Sequence, residues 1–580
     1  MRKRSLFRLL PYLKRRRQAL LIGTAAVLGT TAASAISPWI LKEAVDYLVQ
    51  GDIAEKALVF FALLIVLVTA VEGVFRYWMR KILIGMSRQI EFDLRNDLFG
   101  HLQRMSARFF QTYSTGDLMS RAANDLSAVR AVLGPGIMYF INTCFTVAIT
   151  VPLLIYLSPR LALLTLIPLV GVSISVKYFG RKIHERFERI QEQFSWITTL
   201  AQENLSGIRV VKAYNQEKAF IERFREANDE FIERNLSLVK IWGTFQPLLQ
   251  FLLGLSLVAL LWYGGRQVIQ GTISLGDFVA FLGYLAMLTW PTIALGFVIN
   301  IFERGAASMA RLNALFDYAP EIDDRFAGPQ TDWQGDIRVR DLNFSYNGAP
   351  VLQDIDFEVP AGSTLAIVGR TGSGKSTLVN LLCRLYPVER NRIFIGGREI
   401  HEIPLRSLRR GIGYAPQDAF LFSDTIRQNI AFGNPDASIE RVGAAAVTSN
   451  ILDDIEDFPK QFETFVGERG ITLSGGQKQR VAISRALLVE PSILILDDSL
   501  SAVDTQTEEL ILQKLSSELE RRTAILISHR VSTIRNADQI IVLDRGRIVE
   551  RGTHDQLLQQ AGYYADLYQK QLLQEELDLQ

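Results

Sequence analysis

The run Gly369-Arg370-Thr371-Gly372-Ser373-Gly374-Lys375-Ser376 follows the pattern G-x-x-x-x-G-K-[ST]. Its glycines let the backbone curl until successive N–H groups point at phosphate oxygens. The helical stretch that follows, from Thr377 to Leu385, adds the favourable end of its dipole. The Lys375 ammonium can neutralise a β- or γ-phosphate, and the Ser376 hydroxyl can ligate Mg2+. An apolar run, Leu365-Ala366-Ile367-Val368, precedes the loop, so strand, loop and helix come in the order this chemistry requires. Further on, Ile493-Leu494-Ile495-Leu496-Asp497 is an apolar strand ending in a carboxylate, the expected Mg2+ partner. A buried strand explains the aliphatics but not the adjacent acid pair Asp497-Asp498, which needs a compensating cation. Between these motifs, Leu473-Ser474-Gly475-Gly476-Gln477 opens a helix that runs through Arg485. A serine and two glycines ahead of a helix form a further anion-binding terminus; standing alone, the pentapeptide would equally be a helix cap.

All three motifs lie beyond Pro320, where short β-rich stretches alternate with amphipathic helical ones, as in a soluble α/β domain. Residues 1–310 read differently. Apolar runs at roughly 19–41, 56–79, 134–157, 161–179, 245–269 and 277–301 each reach the ~20 residues that a membrane-crossing helix needs. Few charges interrupt them: Glu72 and Arg76 stand one helical turn apart, and Arg266 lies near an end. Lys and Arg gather before the first run (Arg2, Lys3, Arg4, Arg8, Lys14 and Arg15 to Arg17) and in the connections 80–133 and 180–244. That asymmetry places the N-terminus, both long connections and the C-terminal half in the cytoplasm. Ala33-Ser34-Ala35 has the look of a signal-peptide cleavage site, but the apolar run continues past it. Ile183, Phe187, Ile190, Phe194 and Ile197 recur with a helical period, so the membrane helices are expected to continue beyond the bilayer as an amphipathic bundle. Ser114-Thr115-Gly116-Asp117 and Ser206-Gly207 interrupt those extensions, making each connection either a helical hairpin or a plain linker.

Composition removes several other functions. With 63 Lys+Arg against 61 Asp+Glu the net charge is +2, which excludes a polybasic nucleic-acid binder and an acidic tail. Two cysteines, Cys144 and Cys383, and 5 histidines exclude a disulfide scaffold and a Cys- or His-rich metal site. The mean hydropathy is +0.15 although 21% of residues are charged, as when a very apolar region is averaged with a soluble one.

With these motifs in this order behind six spans, the chain resembles an ATP-binding cassette (ABC) exporter half-transporter, type IV and multidrug-exporter-like, over essentially its whole length. The resemblance implies a membrane α-helical domain (1–318), a linker (319–336) and a soluble α/β P-loop cassette (337–580). It implies ATP and Mg2+ as ligands, a second half-transporter as partner, a lipid bilayer, a hydrophobic or amphipathic substrate and no nucleic acid. It gives the P-loop with Thr377 to the nucleotide phosphates and Tyr346 to stacking on adenine. Gln417, in Tyr414-Ala415-Pro416-Gln417, falls to Mg2+ and to the face toward the membrane domain. Glu468 belongs to an exporter-specific loop, Ser501-Ala502-Val503-Asp504 to the D-loop, and His529 to the switch position near the γ-phosphate. Segments near 112–118 and 207–216 would be coupling helices, and 5–14 an elbow helix on the membrane. Tyr139, Asn142, Trp242, Phe245, Gln246, Tyr284, Trp290, Phe297 and Asn300 are candidates for a substrate path, though ordinary helix packing explains them as well.

One position departs from the pattern. The residue after the strand-ending aspartate is normally a glutamate that polarises the attacking water; here it is Asp498, shorter by about 1.5 Å. A misplacement of about 1 Å can cost on the order of 100-fold in rate. The chain's own Walker site is therefore expected to bind ATP and hydrolyse it poorly. Its intact Leu473–Gln477 signature would complete a competent site on a partner, as in the degenerate-site subunit of a heterodimeric bacterial exporter. The alternatives are a slow homodimer with Asp498 as the polarising carboxylate, and a nucleotide-gated channel or regulatory subunit.

Overall fold

The structure, a computed structural model, describes residues 2–49, 55–329, 333, 335–467, 470 and 472–578. Glu468 of the exporter-specific loop lies outside the described residues. The chain forms two compact units. One comprises residues up to Gln103 and Ser114–Tyr318; the other comprises Arg104–Tyr113 and everything from Ala319 onward.

The first unit is helical. Its long helices are α1 (Arg17–Val49), α2 (Glu55–Leu102), α3 (Ile137–Leu157), α4 (Pro159–Ser206), α5 (Glu217–Ala259) and α6 (Leu275–Phe316). Among the described residues, six helical segments are long and apolar enough to cross a membrane. α2 and α4 have 48 residues each, about 72 Å at 1.5 Å per residue, against a hydrocarbon core of ~30 Å. They therefore run far past any bilayer. Pro38, Pro152, Pro168, Pro247 and Pro291 sit inside these helices, which membrane helices tolerate better than soluble ones. The helical period of α4 has part of the consequence expected of it: Phe187 and Phe194 remain exposed, while the three isoleucines turn inward. Ile183 packs with Val172, Phe245 and Leu249, and Ile190 and Ile197 turn away from solvent, Ile197 against Ala227 of α5.

The break expected at Ser114-Thr115-Gly116-Asp117 is present at its first residue: Tyr113 and Ser114 stand outside the helices Ala107–Thr112 and Thr115–Ser120. The Ser114 Oγ accepts a hydrogen bond from the Asp117 amide at 3.3 Å, so Thr115, Gly116 and Asp117 already form the first turn of the second helix. The short helix before it is Ala107–Thr112, earlier than the expected 112–118, and it belongs to the second unit. There the Ala107 amide donates to the Leu385 carbonyl (3.2 Å), Gln111 to the Tyr386 hydroxyl (2.7 Å) and the Ser106 hydroxyl to Glu321 (2.7 Å). In the other connection Gly207 precedes the helix Ile208–Ala213, and Asn215, at φ +52°, follows it. The N-terminal segment is a 3-10 helix, Arg2–Leu9, running into the helix Leu10–Arg15. Two candidates for the substrate path serve packing: Tyr284 is fully buried and donates to the Ala35 carbonyl at 3.0 Å, and Phe245 stacks on Phe179 at 5.2 Å.

The second unit carries the strands β1 (Ile337–Tyr346), β2 (Ala349–Val359), β3 (Thr364–Gly369), β4 (Ile393–Ile395), β5 (Arg398–Glu399), β6 (Ile412–Ala415), β7 (Asp424–Thr425), β8 (Phe465–Val466), β9 (Ile493–Asp497), β10 (Thr523–Ile527), β11 (Gln539–Asp544) and β12 (Arg547–Gly552). The helices that bear on the site are α7 (Lys375–Leu382), α8 (Gly475–Leu488), α9 (Thr505–Leu519) and α10 (Tyr563–Asp578). The main sheet has the order β12-β11-β3-β10-β9-β6, parallel except for β12. A parallel sheet is covered on both faces, so its strands read as unbroken aliphatic runs. Leu494 and Leu496 of β9 face one core with Ala366 and Val368, while Ile493 and Ile495 face another with Leu365 and Ile367. β1 and β2 belong to a separate antiparallel sheet, β2-β1-β4-β5, in which buried and exposed positions largely alternate along β1.

Candidate nucleotide site

Because the central strands are parallel and in register, their carboxyl ends finish together. Ile527 stands beside both Asp497 and Ile367, Leu543 beside Gly369, and Ala415 beside Leu496. Such a rim is where open α/β sheets bind ligands. β3 delivers the P-loop, β9 the acid pair, β10 His529 and β6 Gln417.

The loop's backbone demands its glycines. Gly372 and Gly374 adopt φ +81° and +105°, in the left-handed region. A Cβ on Gly374 would also lie 2.7 Å from the Leu352 side chain. Lys375 is buried and donates to the carbonyls of Gly369 (2.9 Å) and Arg370 (3.0 Å), inside the curl of the loop. Ser373 is buried, its amide donating to the Arg370 carbonyl at 3.1 Å, while Arg370 lies over the Tyr563 ring at 5.7 Å. Burial pulls the Lys375 pKa down, against the opposing pull of Asp498 and Asp497.

The Ser376 hydroxyl donates to Asp497 Oδ1 at 3.1 Å, and the Tyr414 hydroxyl to Asp497 Oδ2 at 3.4 Å. Burial raises the Asp497 carboxyl above its ordinary value, these two hydrogen bonds lower it, and neighbouring Asp498 pushes it up again. Asp498 itself takes φ +48°, a conformation that Asp tolerates better than most residues. Its amide donates to the Ile527 carbonyl (2.8 Å) and its Oδ2 accepts from Gln417 Nε2 (3.2 Å). His529 is held below its usual pKa by burial and by Lys375, with Asp498 opposing. One cavity of about 310 Å3 is lined by Thr371, Gly372, Gly374, Lys375, Ser376, Thr377, Gln417, Asp497, Asp498 and His529, together with Val351 and Ile527. Ser376 and Asp497 with the Gln417 amide offer the oxygen donors that a hard cation such as Mg2+ takes. Tyr346 stands at the edge, its hydroxyl 3.4 Å from Thr377 Oγ1 and its ring 5.2 Å from Tyr386.

The signature residues are not in this cavity. Leu473 is buried in the core, and Ser474 caps α8 with a full capping box: its Oγ accepts from the Gln477 amide (3.2 Å) and its own amide donates to Gln477 Oε1 (2.9 Å). Ser474 and Gly475 are exposed, and a Cβ on Gly476 would lie 3.0 Å from the Ala502 carbonyl. In the D-loop, Ser501 donates to the Asp498 carbonyl (2.8 Å) and Asp504 caps α9 through the Thr507 amide (2.9 Å). Gln479 went unnoticed in the sequence. It is buried, its Oε1 accepts from the Ala502 amide (2.9 Å) and its Nε2 donates to the Ser501 hydroxyl (3.1 Å), tying α8 to the D-loop. The available signal was a second glutamine, two residues beyond Gln477, on a helix face that is otherwise apolar.

A P-loop cavity at the rim of a parallel sheet, in a chain with six membrane-length helices among its described residues, defines a membrane-bound P-loop transporter. Residues 20–292 match the family described as "ABC transporter transmembrane region", and residues 352–501 the family described as "ABC transporter". The probable multidrug resistance ABC transporter ATP-binding/permease protein YheI of Bacillus subtilis is 38% identical over 556 residues, 95% of each chain. The multidrug resistance-like ATP-binding protein MdlA of Escherichia coli is 35% identical over 582 residues, 99% of this chain and 98% of that one. The structure of a bacterial Atm1-family ABC exporter with ATP bound matches with a TM-score of 0.79 at 30% identity, covering 96% of this chain and 98% of that chain. The chain belongs to the ABC transporter family, as an exporter half-transporter with its transmembrane domain and ATP-binding cassette in one polypeptide.

Proposed function

We propose that this chain is one half of a heterodimeric exporter of amphipathic small molecules (drugs, lipids or peptides) in a cytoplasmic membrane, and that its own Walker site holds ATP but hydrolyses it poorly. The N-terminus and the cassette lie in the cytoplasm, on the side where Lys and Arg accumulate. The P-loop amides and Lys375 take the phosphates, Tyr346 the adenine, and His529 the neighbourhood of the terminal phosphate. Ser376, Asp497 and Gln417 would hold Mg2+, which when bound neutralises phosphate charge. The exposed Ser474–Gln477 terminus, outside its own cavity, serves the nucleotide of a second cassette.

Asp498 carries the reading. It occupies the polarising position with a side chain one methylene short, and its carboxylate is engaged by Gln417 at 3.2 Å. ATP shifts the inward–outward equilibrium of such a transporter only by its differential affinity for the two states, so a site that binds without turning over still drives closure. The test is phosphate release by the full chain purified with and without the neighbouring half-transporter. We expect slow release by the chain alone, raised tenfold or more by Asp498→Glu, in line with the roughly 100-fold cost of a 1 Å misplacement. Full activity of the isolated chain, abolished by Asp498→Asn, would establish instead a homodimer in which Asp498 polarises the water. Substrate accumulation in inverted vesicles that needs hydrolysable ATP separates a pump from a nucleotide-gated channel.

A further inference from the structure

Beyond the main sheet, α10 is bound to the rim of the nucleotide cavity at two points. Its N-terminal amides, on Tyr563 and Tyr564, both donate to the Glu550 carboxylate, which satisfies two of the donors a helix start leaves open. Tyr564 is fully buried, and its hydroxyl meets His554 Nδ1 at 2.7 Å. The helix is thus anchored before it reaches the site. Tyr563 then lies under the guanidinium of Arg370, the second residue of the P-loop, at 5.7 Å. Eight residues on, about 12 Å along the axis, Gln571 reaches the loop after β10. Its Nε2 donates to the His529 carbonyl at 2.6 Å, and its Oε1 accepts from the Val531 amide at 2.8 Å.

One side-chain amide therefore bonds the main chain on both sides of Arg530, through the carbonyl of His529 and the amide of Val531. The flanks of the loop have other holds. Ile527 accepts from the Asp498 amide, Ser528 accepts from the Arg530 amide at 3.0 Å, and Arg530 pairs with buried Glu508. We infer that Gln571 is a positioning residue for His529: it fixes the main chain that carries the imidazole, so that the ring stays on the cavity wall shared with Lys375 and Asp498. The role needs a donor and an acceptor at one length. Glutamate keeps the bond from the Val531 amide but sets an anion against the His529 carbonyl, and leucine keeps the bulk and loses both bonds.

The inference rests on this cavity being the ATP site and is indifferent to what the partner is. It is tested on the full-length chain purified alone in lipid nanodiscs, where every Walker site is the chain's own. Single-turnover hydrolysis of γ-labelled ATP is compared for the parent chain, Gln571→Leu, Gln571→Glu, His529→Ala and the double variant Gln571→Leu/His529→Ala. Amide exchange is followed over residues 528–532. Gln571→Leu is expected to speed exchange there and to lower the rate about tenfold with little change in half-saturating ATP, as for a displacement of less than an ångström. Gln571→Glu should fall between Gln571→Leu and the parent. Because Gln571 acts through His529, the double variant should be no slower than His529→Ala. Losses that add in the double variant, or exchange over 528–532 that Gln571→Leu leaves unchanged, would overturn the inference. A fast parent chain would instead count against slow hydrolysis at this site, and the ratios among variants would still decide the role of Gln571.

Discussion

Two neighbouring aspartates end β9 with different surroundings. Asp497 is 2% exposed, hydrogen-bonded by Ser376 and Tyr414, and its carboxyl is pushed up chiefly by burial. An upward shift means that the folded protein favours the neutral acid. Acidification through this window therefore stabilises the fold through Asp497, while removing the negative charge that a metal needs. Binding of ATP that depends on Mg2+ should accordingly weaken on acidification, starting at a higher pH than for an exposed carboxylate. Below the folded pKa it should drop by about tenfold per pH unit, as one proton competes with one metal. Titrating a fluorescent ATP analogue between pH 5 and 8 with Mg2+ and with chelator measures this. Asp497→Asn should flatten the Mg2+-dependent part. A profile that moves equally with and without Mg2+ would place the titration elsewhere.

The elements divide by where their signals lie. The P-loop and β9 were legible in the sequence because their constraints are local: a left-handed turn needs Gly374, and a strand covered on both faces needs an unbroken run such as Ile493 to Leu496. What was missed depends on partners far along the chain. Ala107–Thr112 joins the cassette unit through Leu385, Tyr386 and Glu321, and no local pattern announces those contacts. Gln479 and Gln571 likewise become informative only when the D-loop and the His529 loop lie beside them. Ser114 carries two local signals at once: it lies outside a helix, after Ala107–Thr112, and its side chain caps the next one, Thr115–Ser120. Ser474 shows how cap and ligand site can be separated experimentally. Ser474→Ala removes the capping side chain and should lower stability by about 1 kcal/mol in denaturant unfolding. Ser474→Asp keeps a cap acceptor and should leave stability near the parent, yet it sets a negative charge where the second cassette's phosphate is expected. Turnover of the assembled transporter should then fall well below that of Ser474→Ala; if the order is reversed, the serine serves only as a cap.

For the whole molecule, the proposed function gives the chain two half-sites. Lys375, Asp497, Asp498 and His529 line one cavity, and the Ser474 terminus, exposed, lies outside it. On that proposal two cassettes share two composite sites, and the two need not be equal. The site built on this chain's Walker residues has Asp498 against the partner's signature. The other has the partner's Walker residues against Ser474–Gln477. Removing the P-loop lysine takes away a charge that stabilises the transferring phosphoryl group, a class of interaction worth on the order of 100- to 1,000-fold where turnover occurs. Where nucleotide is only held, the same change weakens closure and leaves the chemistry at the other site intact. Lys375→Ala in this chain should therefore slow ATP turnover of the purified pair by less than about tenfold, while the matching change in the partner should cost the full 100-fold or more. Measured side by side with equal assembly of the two pairs, similar losses from both lysines would mean two equivalent hydrolytic sites. Asp498 would then be a working catalytic carboxylate.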